Sequence, residues 1–254
     1  MHDIFDVKNK IVLITGSTSG LGLAFAEGLA ERGAIVVLNG RNNEKLNEIV
    51  LKMKAKHFNV HGFAFDITDN QSVKDSVSSI LNTLGGIDIL VNNAGINIRA
   101  PLHEFDDDDW DKVIGINLTG TYKVSKAVAP HMIENQRGKI INIGSMQSEL
   151  GRPTITPYAA SKGGVKMLTK GMAVEWAKYN IQVNAIGPGY FKTELTKPLY
   201  EDPEFNSWLC QRTPSNRWGD PSELLGALLF LASDASNYVN GHMLYVDGGL
   251  LASV

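Results

Sequence analysis

The chain has 254 residues, is 43% hydrophobic and 20% charged, and carries a net charge of −3. That composition suits a globular chain with a sizeable core, and the charge gives no general attraction to nucleic acid or to an anionic membrane. A single cysteine, Cys210, excludes an intrachain disulfide and a cysteine metal cluster, so a reducing, cytoplasmic setting without a bound metal is expected and Cys210 reads as a small semi-buried hydrophobe.

The first six residues carry acids where a secretion signal needs bases, and no apolar run approaches eighteen residues. Residues Ile11–Ile14 form a β-branched run suited to a strand buried on both faces. They lead into Thr15-Gly16-Ser17-Thr18-Ser19-Gly20-Leu21-Gly22, then the helical spacing of Leu23, Phe25, Ala26, Leu29 and Ala30, which Gly33 stops. A second strand follows over residues 34–38. A glycine turn between strand and helix lets backbone approach a pyrophosphate, which the helix N-terminus attracts through its free N–H groups and dipole. The same pattern also fits an ordinary βα turn, but here strand and helix stand where a dinucleotide site requires them.

After that strand stands Asn39-Gly40-Arg41. A carboxylate there would accept hydrogen bonds from the adenosine ribose and repel a 2′-phosphate. Its absence, with an arginine suited to phosphate, favours NADP(H) over NAD(H); an arginine pointing into solvent is the other reading. Residues 43–56 read as a helix and 61–65 as a strand ending in Asp66, placed to meet an adenine amino group. Residues 69–84 read as a helix and 87–91 as a strand that ends in Asn92-Asn93-Ala94-Gly95, small residues that let a ligand lie across the sheet edge. The acids Asp106 to Asp109 read as a helix cap and first turn rather than a metal site. Asn117 lies inside the helix they begin, where a polar amide is disfavoured without a task.

Residues 139–144 form the next strand, closed by Ser145. Beyond it Tyr158 and Lys162 stand four apart, so a helix sets both on one face. An ammonium near a phenol stabilises the phenolate, which would draw the tyrosine toward working pH as a proton donor or acceptor for a carbonyl–alcohol pair. Ser145 could hold the same oxygen. The spacing alone equally fits a surface pair, and it gains weight only with the nucleotide signal at the other end of the chain. The helix runs to about residue 179, a strand over residues 181–186 follows, and residues 190–217, with three prolines and no strand period, read as an irregular lid. A helix over 221–233 and a strand over 242–246 complete one doubly wound parallel α/β domain, residues 1–254.

Together these motifs resemble the short-chain dehydrogenase/reductase family over nearly the whole chain. The resemblance implies a Rossmann fold of about seven parallel strands with helices on both faces, assembled as a homotetramer. It implies catalysis by Tyr158 as general acid/base, Ser145 as the group polarising the carbonyl, Lys162 as the group lowering the tyrosine pKa and holding the nicotinamide ribose, and Asn117 as anchor of a proton relay. Cofactor contacts would come from Gly16, Ser17, Ser19, Gly20, Leu21, Gly22, Asn39, Arg41, Asp66, Ile67, Asn93, Ala94, Gly95, Tyr158, Lys162, Pro188, Gly189, Phe191 and Thr193.

Within the family, the Ser145 to Arg152 stretch, Gly189 to Glu194 and Trp208 to Pro214 look like the substrate segments of gluconate 5-dehydrogenases. That resemblance implies an NADP(H)-dependent exchange between D-gluconate and 5-keto-D-gluconate. Arg99, Ser145, Gln147, Glu149, Arg152 and Tyr158 would contact the sugar acid, as a cation for its carboxylate and hydrogen-bonding groups for its hydroxyls. Ile98-Arg99 departs from the paired arginines frequent in that subfamily, which leaves one cation fewer. A reductase of 2-deoxy-3-keto-gluconate or of a 3-oxoacyl thioester, and a non-catalytic dinucleotide-binding sensor, are the alternative readings.

Overall fold

A computed structural model describes residues 3–253. Seven parallel strands, β1 (Ile11–Ile14), β2 (Ile35–Gly40), β3 (Val60–Ala64), β4 (Ile89–Asn92), β5 (Gly138–Ile143), β6 (Ile181–Pro188) and β7 (Met243–Val246), form one sheet in the order β3-β2-β1-β4-β5-β6-β7. Strand direction is constant, so every connection is a crossover. The reversal of strand order between β1 and β4 opens a crevice at their carboxyl ends.

The central strands are apolar in nearly every position because both of their faces are covered. Val12, Ile14, Val36, Leu38 and Val91 pack on one side against helices α1 (Gly20–Glu31) and α2 (Asn43–Ala55) and, late in the chain, α9 (Leu225–Ala232). Leu13, Val37, Leu90 and Ile140 point the other way, onto α3 (Asn70–Leu84), α5 (Thr121–Glu134) and α6 (Thr156–Trp176). The alternation is the two-residue period of the pleat. Below the crevice a buried polar chain ties strands to helices: Asn92 donates to Ser125 (2.9 Å) and Asn142 (2.8 Å), and Asn142 donates to Thr169 (2.9 Å).

Two stretches differ from expectation. The helix expected from Asp106 onward is α4 (Asp107–Ile114) joined to α5 through a wide π-helical stretch, Gly115–Gly120. Asp106 caps it by accepting from the amides of Asp108 (2.8 Å) and Asp109 (3.3 Å). A π-turn inserts one extra residue and re-aims a side chain; here it swings Asn117 under the crevice. The segment expected to be irregular instead contains α7 (Lys197–Tyr200) and α8 (Pro203–Arg212), the latter with a proline in its first turn and Asp202 as its cap. Pro198 and Pro203 stand in the first turns of these helices, where a missing N–H leaves no bond unmade. Leu209 and Trp218 pack there with Met146 and Leu250 as a third, smaller core that Cys210 flanks. Helix α9 (Leu225–Ala232) closes the fold beside α1.

Candidate active site

The turn after β1 is shaped by close packing. Gly16 has φ of +62°, and a Cβ on it would lie 2.8 Å from the Cα of Ala94. A Cβ on Gly22 would lie 2.4 Å from the side-chain nitrogen of Asn93 and 2.5 Å from the carbonyl of Gly16. Only glycine lets the turn, the start of α1 and the end of β4 converge so tightly. Asn93 locks them by donating to the carbonyls of Thr15 and Gly16 (3.0 Å each), while Thr15 accepts from the amides of Asn93 and Ala94. No side chain caps α1 at Ser19, so its first-turn N–H groups face the crevice.

That crevice is a cleft of about 920 Å³. Its lining includes Gly16, Ser19, Gly20, Leu21, Asn39, Arg41, Asp66, Ile67, Asn93, Ala94, Gly95, Pro188, Gly189, Phe191 and Thr193, and reaches Ser145, Tyr158 and Lys162. Thr18, not anticipated from sequence, also lines it. Asn39 is turned inward: it accepts from the Gly16 amide (3.2 Å) and donates to the carbonyls of Phe63 and Phe65 (3.3 and 3.1 Å). Two expected cofactor contacts are corrected. Ser17 is fully buried, its hydroxyl donating to Ile14 (2.9 Å) and its amide to Asn39 (2.9 Å). Gly22 is a packing residue beneath the turn. Neither lines the cleft.

At the adenine end Arg41 is exposed and stands 3.8 Å from the Asp66 carboxylate. Burial would raise the Asp66 pKa, but the amide and hydroxyl of Thr68 at 2.8 and 2.7 Å, with Arg41 and Lys123, outweigh it and hold the carboxyl below its ordinary range.

At the other end, helix α6 carries Tyr158 and Lys162 one turn apart, and Ser145 stands two residues beyond β5, capping the 3₁₀ turn Met146–Ser148. Ser145 accepts from the amide of Gln147 (3.1 Å), and its hydroxyl is near enough to the Tyr158 phenol to favour the phenolate. Lys162 is buried, donates to the carbonyl of Ile143 (2.6 Å), and lies 5.6 Å from the centre of the Tyr158 ring. Burial without a carboxylate partner lowers its pKa to about 8. Burial likewise pushes the Tyr158 phenol up; Ser145 and Arg99 oppose the rise, Tyr190 adds to it, and the net direction is upward. Desolvation, the largest influence on the phenol, acts against the downward pull expected of the neighbouring amine. Asn117 accepts from the amide of Ile96 (2.8 Å) and donates to its carbonyl (3.0 Å) and to Ser161 (3.0 Å). Its side chain pins the loop after β4 to α6.

This order of elements, with a serine, a tyrosine and a lysine converging at the cleft's inner end, agrees with a family-wide match: residues 10–204 fit the short chain dehydrogenase model. The chain belongs to that family. It is 52% identical over 254 residues, the full length of both chains, to 5-keto-D-gluconate 5-reductase of Escherichia coli (strain K12). It is 50% identical over 254 residues to 2-dehydro-3-deoxy-D-gluconate 5-dehydrogenase of Formosa agariphila, covering 99% of this chain and 96% of that one. The crystal structure of a gluconate 5-dehydrogenase from Burkholderia cenocepacia in complex with NADP and tartrate matches with a TM-score of 0.97 and 51% identity, over 99% of each chain.

In this short-chain dehydrogenase, Ser145 and Tyr158 also wall a side chamber of about 100 Å³. Arg99, Gln147 and Arg152 line it, with Asn97, Tyr190 and Leu199, which the sequence reading did not single out. Arg152 donates to the Tyr190 hydroxyl (2.9 Å) and stacks over Phe205 of α8 (4.5 Å). Arg99 lies close enough to Arg152 for the two guanidiniums to repel, which with burial lowers the Arg99 pKa. Glu149 is a further correction: it lies outside the chamber, held by Lys166 of α6 and by Tyr245 of β7 at 2.5 Å. Motif spacing could not show that its carboxylate turns toward α6.

Proposed function

We propose that this protein is an NADP(H)-dependent oxidoreductase that interconverts D-gluconate and 5-keto-D-gluconate. The observation that carries the reading is the meeting of two spaces at one tyrosine: the long cleft reaches Tyr158 from one side, and a small chamber holding two guanidiniums reaches it from the other. The substrate for which the Escherichia coli relative is named, and the NADP and tartrate in the Burkholderia structure, support it.

The cleft fits a dinucleotide on its own geometry, through the glycine cradle at Gly16, the uncapped start of α1 and the arginine at its adenine end. Gly16, Ser19, Gly20 and Leu21 would hold the pyrophosphate, Arg41 the 2′-phosphate, and Asp66 and Ile67 the adenine. Asn93, Ala94, Gly95, Pro188, Gly189, Phe191 and Thr193 would enclose the nicotinamide half. When bound, the nicotinamide supplies or accepts the hydride.

The chain's own groups do the rest. Ser145, whose oxygen already accepts the Gln147 amide, has its hydroxyl proton to give to the substrate oxygen. Tyr158, held in its neutral form by burial, gives a proton to that oxygen as the carbonyl becomes an alcohol. Lys162 keeps a positive charge beside the phenol below about pH 8, which limits the cost of the phenolate that forms. Arg99 and Arg152 meet the carboxylate, and their mutual repulsion favours an anion between them. Asn117 positions α6 against the loop after β4, the place where a relay to solvent would start. The helical segment over residues 190–217 covers the chamber through Tyr190 and Leu199 and serves as its lid.

The protein works in the cytoplasm as a homotetramer. The exposed apolar side chains of Met167 and Val174 on α6, and of Trp110 and Tyr122 on α4 and α5, support that assembly. Among the described residues no helix is long and apolar enough to cross a membrane. The test of function is NADPH consumption with 5-keto-D-gluconate, run beside NADP⁺ reduction with 2-dehydro-3-deoxy-D-gluconate. Turnover of the second acid without the first would reassign the substrate; turnover of neither would remove the reading.

A further inference from the structure

The walls of the side chamber carry two buried side-chain oxygens with no partner among the described residues. The Oε1 of Gln147 and the Oδ1 of Asn97 are both buried, and among the described residues neither oxygen accepts a hydrogen bond. Gln147 as a whole is only 7% exposed. Both residues line the chamber, from different elements: Asn97 from the loop after β4, and Gln147 from the 3₁₀ turn that follows Ser145. Folded proteins leave few buried polar atoms unpaired, and two in one small space point to a ligand or an ordered water that completes them.

The rest of the lining shows what would complete them. Arg99 and Arg152 take a carboxylate, and Ser145 with Tyr158 takes the reacting oxygen. Among the described residues of the lining, the buried side-chain oxygens left unpaired are those of Asn97 and Gln147. A hydroxyl both donates and accepts, so it pairs with either end of an amide head. A carboxylate only accepts, so it would leave the two amide oxygens unpaired, and so would a hydrocarbon chain.

We propose that Asn97 and Gln147 are specificity-determining residues that hydrogen-bond the hydroxyls of a polyhydroxy acid between its carboxylate and its reacting carbon, a reading that rests on the sugar-acid function above. A site built to pair a hydroxyl rejects the analogue lacking it far more strongly than an apolar pocket rejects an added group. The amides therefore select hydroxylated over deoxygenated acids, while the arginines select the acid itself.

The experiment compares 5-keto-D-gluconate with 5-oxohexanoate, which keeps the same spacing of carboxylate and ketone but has no hydroxyls. KM and kcat for the first, and the competitive inhibition constant of the second, are measured with NADPH on the wild-type enzyme, Asn97→Leu and Gln147→Met. Each variant is expected to lose about 10- to 100-fold in kcat/KM on 5-keto-D-gluconate, mostly in KM, with 5-oxohexanoate binding as well as before or better. NADPH affinity, read by its fluorescence, stays unchanged and reports that the variants are folded. Two outcomes overturn the inference: equal weakening of both ligands, or wild-type kinetics on 5-keto-D-gluconate in both variants. A wild-type enzyme that ignores 5-keto-D-gluconate strikes the parent reading instead. In that case, unchanged binding of 2-dehydro-3-deoxy-D-gluconate by both variants also overturns the role of the amides.

Discussion

Arg41→Ala tests the nucleotide assignment where the structure makes a quantitative statement. Arg41 is exposed and pairs with Asp66 at 3.8 Å, and an exposed pair of this kind contributes about 0–1 kcal/mol. A charge-assisted contact to a 2′-phosphate contributes about 1.5–3 kcal/mol, so Arg41 gains by leaving Asp66 for the phosphate. The net loss on substitution is about 1–2 kcal/mol, or about 5- to 30-fold in NADPH affinity. NADH, which lacks that phosphate, should bind the variant as it binds the wild type. The assay is titration of each reduced nucleotide by fluorescence, with the KM ratio as a second readout. The preference should also weaken below about pH 6, where the phosphate loses half of its charge, and that pH dependence should vanish in the variant. Equal losses for both nucleotides, or a preference that survives Arg41→Ala, would refute the reasoning.

Tyr158→Phe should retain NADPH binding, because the ring and its packing stay, and should lower turnover by at least about a hundredfold with the proton donor gone; a rate near wild type would take Tyr158 out of the chemistry. Lys162→Met concerns stability. The native pKa of Lys162 is about 8 against an ordinary 10.5, so between these pH values the unfolded chain holds a proton that the native chain does not. Unfolding free energy then rises with pH across that window, and the 2.5-unit difference corresponds to about 3 kcal/mol. In urea titrations at pH 7.5 and 9.5 the wild type should gain stability relative to Lys162→Met; a constant difference would show that Lys162 is not held in a low-pKa state. Lys139, also lowered to about 8 by burial, contributes the same sign in both proteins and cancels from the comparison.

The order of strands and helices was legible in the chain because a parallel sheet covered on both faces leaves an unambiguous record: short β-branched runs alternating with helical spacing. The nucleotide turn was legible because glycines at Gly16 and Gly22 mark close approaches of backbone that other residues cannot make. The four-residue step from Tyr158 to Lys162 was legible because a helix sets residues at that spacing on one face.

Where side chains point was decided only by the tertiary structure. Ser17 and Asn39 stand within the nucleotide signature, yet their polar atoms are used within the fold, since a buried hydroxyl or amide takes whatever partner the packed neighbours offer. Glu149 lies in the substrate segment but turns to Lys166 and Tyr245, which come from elements many residues away. Asn97 carried no signal at all, because an unpaired oxygen exists only once the walls around it are in place. The direction of the Tyr158 shift followed the same logic. Spacing brings an amine near a phenol, but desolvation, which the fold alone sets, decided the sign.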